Sequence, residues 1–551
     1  MDAEAEDAGA PSRRQGLRDL ALLAALVAAV HLTLFPRLAS LDAFYHMGHA
    51  AHYLEAGPFD AAFPWATQSV IGAVGADLWW GFHVVLIPFA LLGDPALGGA
   101  VAAVVMTGVL ALTVHRILSG FGVAAPGIWT ALFLVAVPNV LYRFSMVRPH
   151  VVSLAAALVV LAALVRGRHR MAGVAAGLIT WLHLSLFWMA PGILCAWVLA
   201  SAVEGRGLRG RGRSVAAAAG WVLLGSVAGW LLRPNPMGAA DLAWIQIVEL
   251  FAEKSGEQPI PFAVELRPLP ARELVRTSWL FLGVWTAALV SAPFLPARSR
   301  RNTPDPADGH PAPRRLAVVV TLLCSAAFLV LALASARRAQ VEWVAFGFLA
   351  IPLLHGLIEG ADLRRRLRLA AVALLLVHLP WVAWRHTLNS RLVAFPPDLL
   401  AGASFWLAAN SAPGDVVFHA KWDNFGPLFA RNRTNRYLSG MDPIFFYRHD
   451  PERYWEFFFL SADATTEYTC DAFPCASGVA TGTHEAIRDH FGARWVVVEP
   501  QRNPRLTEWL HGAAGFRLGV DTGRELVFEV MERVEDGADP GGGGAALDGV
   551  R

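Results

Sequence analysis

Directly after its first long apolar run the chain reads SLDAFYHMGHAAHYLEAG, a segment dense in side chains that can do acid–base or metal chemistry. If it is helical, Asp42, Tyr45, His46, His49 and Tyr53 share one face by i, i+3, i+4, i+7 spacing, and Gly57-Pro58 ends the helix. An acid at a membrane surface is expensive to place and marks a functional position. Asp42 is suited to act as a general base, to orient an acceptor nucleophile, or to ligate a metal; it also fits the plain role of a helix N-terminal acid favoured by the dipole. His46, His49 and His52 are spaced like ligands, so that Asp42, His46 and His49 form a metal-binding candidate on one face. Amphipathic rings at a membrane interface are the alternative. The segment points to chemistry on a lipid-borne substrate.

Three further stretches carry chemistry. In NVLYRFSMVRPHVVSLAAAL, residues 139–158, Arg143, Arg148 and His150 open an apolar block and suit a lipid-linked phosphate, which needs charge-assisted donors, or else snorkel at a helix end. Arg337 and Arg338 fall in a very short turn between two apolar blocks, with Glu342 four residues after Arg338. On an external turn they run against the positive-inside bias, and a phosphate clamp explains them. Residues 416–443 gather Trp422, Asp423, Asn424, Asn435, Tyr437 and Asp442 around a turn, a set suited to holding a polar, partly apolar ligand or to packing one module onto another.

The elements that must position these residues are membrane helices. Of 551 residues 55% are hydrophobic and 16% charged, with a mean hydropathy of +0.44. Apolar blocks fall at 17–38, 79–93, 97–119, 124–141, 150–165, 171–185, 186–204, 213–233, 277–297, 315–335, 340–358 and 369–385. Arginines cluster at 13–18, 166–170, 206–213, 298–315 and 364–368, and by the positive-inside rule mark the cytoplasmic side. That pattern is consistent only if one block does not cross, and 79–93, short and ending in Gly93-Asp94-Pro95, is the one assigned. The expectation is a mostly α, polytopic helical bundle of about 11 spans (range 11–13) over residues 1–390, with interfacial helices in the first external loop. Its N-terminus is cytoplasmic, 39–78 and 234–276 are long external loops, and 301–314 is a cytoplasmic linker. From about Leu400 the pattern changes to short apolar runs (VVFH, RWVVVE, ELVFEV) alternating with helical stretches, a small extracytoplasmic α/β domain over 400–534. The tail 535–551 is expected to be disordered. Cys195 and Cys324 read as buried apolar fillers, and Cys470 with Cys475 as a disulfide if that domain is extracytoplasmic. The Ala-, Arg- and Gly-rich, lysine-poor composition suggests a high-GC bacterium and so an inner-membrane location. No phosphate-binding loop, dinucleotide fingerprint or internal repeat is present, and nothing calls for a nucleic-acid partner.

Together these motifs resemble the type-C membrane glycosyltransferases, most of all the catalytic subunit of oligosaccharyltransferase. LDAFYHMGHAAHYLEAG is similar to that family's first external loop, VPNVLYRFSMVRPHVVSLAAAL to its second, ARRAQVEWVAFGFLAIP to the late segment whose arginine holds the lipid phosphate, and KWDNF loosely to its Trp-Trp-Asp motif. The resemblance implies transfer of a sugar or glycan from a polyprenyl phosphate or diphosphate to a protein, glycan or lipid acceptor on the extracytoplasmic face, in a membrane-lipid setting. Asp42 would assist the acceptor, with Tyr45 and His46 shaping the site. Arg148, His150, Arg337, Arg338, Trp422 and Asp423 would bind substrate. It also brings a divalent cation, magnesium or manganese, but Arg148-Pro149-His150 stands where the family's acidic pair helps to hold it, unless Asp77 or Asp241 substitutes. One tryptophan, not two, precedes Asp423, so peptide-sequon recognition does not carry over. The rival readings are a non-catalytic protein of the same fold that binds a lipid-linked glycan, and a transporter. The latter would show paired broken helices in two repeats.

Overall fold

The computed structural model describes residues 13–203, 212–254, 260–294, 314–358, 360–475 and 480–532. Most of the 301–314 linker, the basic stretches 206–211 and 298–301, and the tail from 535 lie outside the described residues.

Each of the twelve apolar blocks contains a helix. Seven helices are long and apolar enough to cross a bilayer by themselves, or eight if the bent pair Pro126–Val135 and Pro138–Phe144 is one span, which makes the chain a multi-pass membrane protein. Pro149–Val165, His169–Leu182 and Gln340–His355 are shorter. Trp80–Ala90, expected not to cross, has 11 residues and is about 16 Å long at 1.5 Å per residue, well short of a hydrocarbon core. It ends in the sequence that starts the next span: the Asp94 carboxylate accepts from the Ala96 and Leu97 amides at 3.1 and 3.2 Å, and Pro95 occupies the first helical position.

The bent pair turns through 98° at Pro138, which cannot continue the ladder of the preceding helix. The bend carries Tyr142 and Arg143 sideways, toward the end of the bundle on which the first loop lies. Next, Pro149 holds Arg148 in the extended backbone region (φ −144°, ψ 146°), and this aims the guanidinium away from the helix it precedes.

The last membrane-length helix, Ala361–Leu392, ends at the C-terminal module. Its sheet contains β1 (Val416–His419), β2 (Arg436–Tyr437), β5 (Ala493–Val498), β6 (Phe516–Asp521) and β7 (Leu526–Val530), while β3 (Tyr468–Cys470) and β4 (Ala480–Gly482) form a separate pair. The order is β2-β1-β5-β7-β6, parallel on the β2-β1-β5 side and antiparallel through β7 and β6. Buried VVFH and WVVV runs supply the central strands, as expected where both faces are covered. Cys470 and Cys475 are disulfide-bonded; of the other two cysteines Cys324 is buried, but Cys195 is exposed on its helix and is not a core filler.

The module is fastened to the membrane domain by backbone pairing. Leu38 and Phe395 exchange hydrogen bonds of 2.9 and 2.8 Å, and the Tyr437 amide of β2 donates to the Trp65 carbonyl at 2.7 Å while the Thr67 amide donates back to Tyr437 at 2.9 Å. The first external loop therefore extends the edge of the sheet, which removes an exposed edge.

Candidate active site

The helix Asp42–Ala56 forms where its spacing predicts and stops at Gly57, whose φ of 94° favours a residue without Cβ. Asp42 lies in its first turn, and Ala43 through Ala50 are all buried. Contact with the C-terminal module fixes its position. A Cβ at Gly48 would come within 2.8 Å of the Phe429 ring and 2.9 Å of the Ala430 Cα, so only glycine lets the helix Phe425–Arg431 lie this close. Tyr45 fills the same contact, edge-on to Phe63 and Trp79 and tilted against Phe425 and Phe429.

Over the first turn of this helix opens a cavity of about 940 Å³, bounded by the ends of the membrane helices, the 234–276 loop and the module. Asp42, His46, Arg143, Arg148, His150, Arg337, Arg338 and Trp422 all line it. Residues separated by nearly four hundred positions in sequence thus converge on one cavity. Tyr45, His49 and Asp423 do not line it. Tyr45 is a packing residue in the aromatic contact just described. Asp423 accepts two hydrogen bonds of 2.8 Å from Arg502 inside the module, which spends its carboxylate there.

Arg148 organises the charge. Its guanidinium lies 2.6 Å from the Asp42 carboxylate, donates to both Glu265 oxygens at 2.7 and 2.9 Å, and reaches Ser40 Oγ at 2.9 Å. Arg143 donates to the same Glu265 at 3.0 Å. Burial would raise the Glu265 carboxyl, but Arg148, Arg143 and Arg338 hold it well below the usual carboxylate range. For Asp42, burial pushes the pKa up and Arg148 opposes it. Sequence reasoning missed Glu265; its only signal is an acid set among prolines in a long external loop. That loop is pinned in place: the Leu269 amide donates to Ala332 and the Arg337 amide to the Arg267 carbonyl, each at 2.8 Å.

The two late arginines differ. Arg337 donates to Glu273 at 3.2 Å, whereas the Arg338 side chain makes no hydrogen bond and no ion pair within 4 Å with a described residue. His150 presents a buried Nε2 with no hydrogen-bond partner among the described residues. Across the cavity Asp442 accepts from Gln246 at 2.6 Å and has no ion pair with a described residue; burial raises its pKa.

The metal expected on Asp42, His46 and His49 does not fit this arrangement. A guanidinium already sits on Asp42, with a second arginine close by, and these charges oppose a divalent cation there. His49 belongs to a different cluster, in which its ring, Asp77 and His83 bring ligand-type atoms within 4.8 Å of one another. Asp77 is buried below the cavity, and neither it nor Asp241 lines it.

With that geometry in hand, the fold is that of the type-C membrane glycosyltransferases. An oligosaccharyltransferase of Archaeoglobus fulgidus, solved tethered through a disulfide to an acceptor peptide containing the NVT sequon, matches 95% of this chain and 74% of its own at 11% identity, with a TM-score of 0.53. ArnT from Cupriavidus metallidurans, in the apo state, matches 94% of this chain and 98% of its own at 14% identity, with a TM-score of 0.52. No family model matches the sequence, and no curated protein does.

Proposed function

We propose that this protein is a membrane glycosyltransferase that moves a sugar or glycan from a polyprenyl phosphate or diphosphate to an acceptor on the extracytoplasmic face. The observation that carries this is the single cavity in which Asp42 faces four arginines, one of them, Arg338, with no carboxylate on it. A lipid phosphate is the anion that such a site takes at the mouth of a membrane bundle, through charge-assisted and bidentate hydrogen bonds.

In this reading Arg338 is the first contact of the donor phosphate, with His150 and Arg337 beside it. Leaving-group charge grows on the phosphate as the anomeric bond breaks, and fixed guanidiniums stabilise it most where water is scarce. Asp42 orients the acceptor, and Arg148, itself held by Ser40 and Glu265, keeps that carboxylate in place. Trp422 offers a flat surface to a sugar ring. The C-terminal domain faces the extracytoplasmic side of a bacterial inner membrane, since the arginine clusters mark the opposite side.

A non-catalytic protein that binds a lipid-linked glycan is the second reading, favoured by the Asp42–Arg148 pair at 2.6 Å, which engages the carboxylate. Sugar transfer by the purified protein in lipid, from a mixed pool of radiolabelled polyprenyl-phosphate sugars, separates the two. Transfer that Asp42→Asn loses supports the enzyme; donor binding without turnover in either protein supports the binder.

A further inference from the structure

Beneath the cavity lies a continuous buried chain of polar groups that the reading above does not use. Asp77 Oδ1 accepts from the Trp79 amide at 2.8 Å, and its Oδ2 takes the Tyr53 hydroxyl at 2.8 Å and His83 Nδ1 at 2.6 Å. The other nitrogen of that ring, His83 Nε2, lies 2.8 Å from His46 Nδ1. None of Asp77, His83, His46 and Tyr53 is more than 3% exposed, and only His46 lines the cavity, one helical turn after Asp42. The loop carrying Asp77 is itself locked, because the buried Arg233 guanidinium donates to the Asp77 and Leu78 carbonyls at 3.2 Å.

The chain fixes where protons sit. An ionised Asp77 accepts from His83 Nδ1–H; His83 Nε2 is then an acceptor and takes His46 Nδ1–H. The remaining atom, His46 Nε2, has no described partner and carries a lone pair. Burial opposes ionisation of Asp77, but His83 and His49 hold its carboxyl well below its ordinary value. Burial, with His83 and Arg148 next to it, keeps His46 neutral. Both nitrogens of His83 and both oxygens of Asp77 are spoken for, which favours a hydrogen-bonded chain over a ligand set even though His49 Nε2 stands 4.0 Å from Asp77.

We propose that Asp77 and His83 are positioning residues that hold His46 with Nε2 bare, and that this nitrogen takes the proton of the acceptor during sugar transfer. The idea rests on the transferase reading. In the step, the acceptor oxygen or nitrogen forms a bond to the anomeric carbon, and the bond from that carbon to the phosphate oxygen breaks with its electron pair staying on the phosphate. The acceptor's proton passes to His46 Nε2, and the resulting imidazolium is stabilised through His83 by Asp77. Asp42, held by Arg148, orients the acceptor and need not be protonated.

Two measurements test this. In the ¹⁵N spectrum of histidine-labelled protein in lipid, assigned by the loss of signals in His46→Gln, His46 should carry its proton on Nδ1 and leave Nε2 bare. A proton on Nε2 overturns the relay, and so does stoichiometric zinc or manganese in the protein as purified, since a metal would occupy His83 Nδ1 and Asp77. In transfer assays Asp77→Asn and His83→Gln should lower kcat by about 100-fold with an unchanged donor KM; His46→Gln should lose at least as much. Wild-type kcat in His46→Gln, at retained donor binding, refutes the proton step. Absence of transfer by the wild type overturns the transferase reading and the proton step with it, while the spectrum independently decides the relay.

Discussion

Replacing Arg338 with methionine keeps most of the side chain's length and removes its charge, and the structure sets the expected consequence. Arg338 has no ion pair to give up before it meets an anion, whereas Arg337 is already engaged by Glu273 at 3.2 Å and Arg148 by both Asp42 and Glu265. A hydrogen bond to a charged group contributes about 1.5–3 kcal/mol when its partner is lost, which corresponds to roughly 10- to 150-fold in affinity at ~1.36 kcal/mol per decade. Arg338→Met should therefore weaken polyprenyl-phosphate binding by that factor. Arg337→Met should cost less, because the incoming phosphate competes there with Glu273. Titration of the lipid into protein reconstituted in nanodiscs, at two salt concentrations, reads both values, and the wild type should be the more salt-sensitive. Equal affinity in Arg338→Met, or a larger loss in Arg337→Met, refutes the assignment of the phosphate to the unpaired guanidinium.

Gly48→Val places a Cβ and two methyls against Phe429 and Ala430, and overpacking of this kind costs about 1–3 kcal/mol; limited proteolysis should release the C-terminal module faster than in wild type. Glu265 has a folded pKa below its ordinary value of 4.5, so its stabilising contribution is complete above about pH 4.5 and is lost as pH falls toward the folded value. Acid unfolding of the wild type should accordingly show a stability loss below that pH that is absent in Glu265→Gln, and parallel curves would contradict it. Alkylation of denatured protein without reductant should modify Cys195 and Cys324 alone, and all four cysteines after reduction; mass spectrometry counts the adducts.

The helical blocks of a multi-pass membrane protein were legible because apolar length is a local signal, although seven or eight helices, not eleven, are by themselves long and apolar enough to cross. The shortness of the Trp80–Ala90 helix and its Gly-Asp-Pro ending showed as well. Asp42, His46, Arg148, His150, Arg337, Arg338 and Trp422 were legible as well, since charge beside an apolar block is unusual wherever it occurs. Partnership was not legible. Arg148 reads from sequence as a phosphate ligand, yet it bridges Asp42 and Glu265, a residue from a loop more than one hundred positions away. Tyr45 has the spacing of a site residue, but the module's Phe425–Arg431 helix, brought in by β-pairing at Tyr437, turns its ring into packing. His83 lies within an apolar helix, and only the fold brings it to His46 and Asp77.

The central claim is turnover of a polyprenyl-linked sugar at Asp42. It is tested most directly by the release of free polyprenyl phosphate from a radiolabelled donor pool over time, which reads turnover whatever the acceptor. Release is expected from the wild type in the presence of an acceptor extract and none from Asp42→Asn, with donor binding intact in both. Equal release by the two proteins, or bound donor that neither of them turns over, would contradict it.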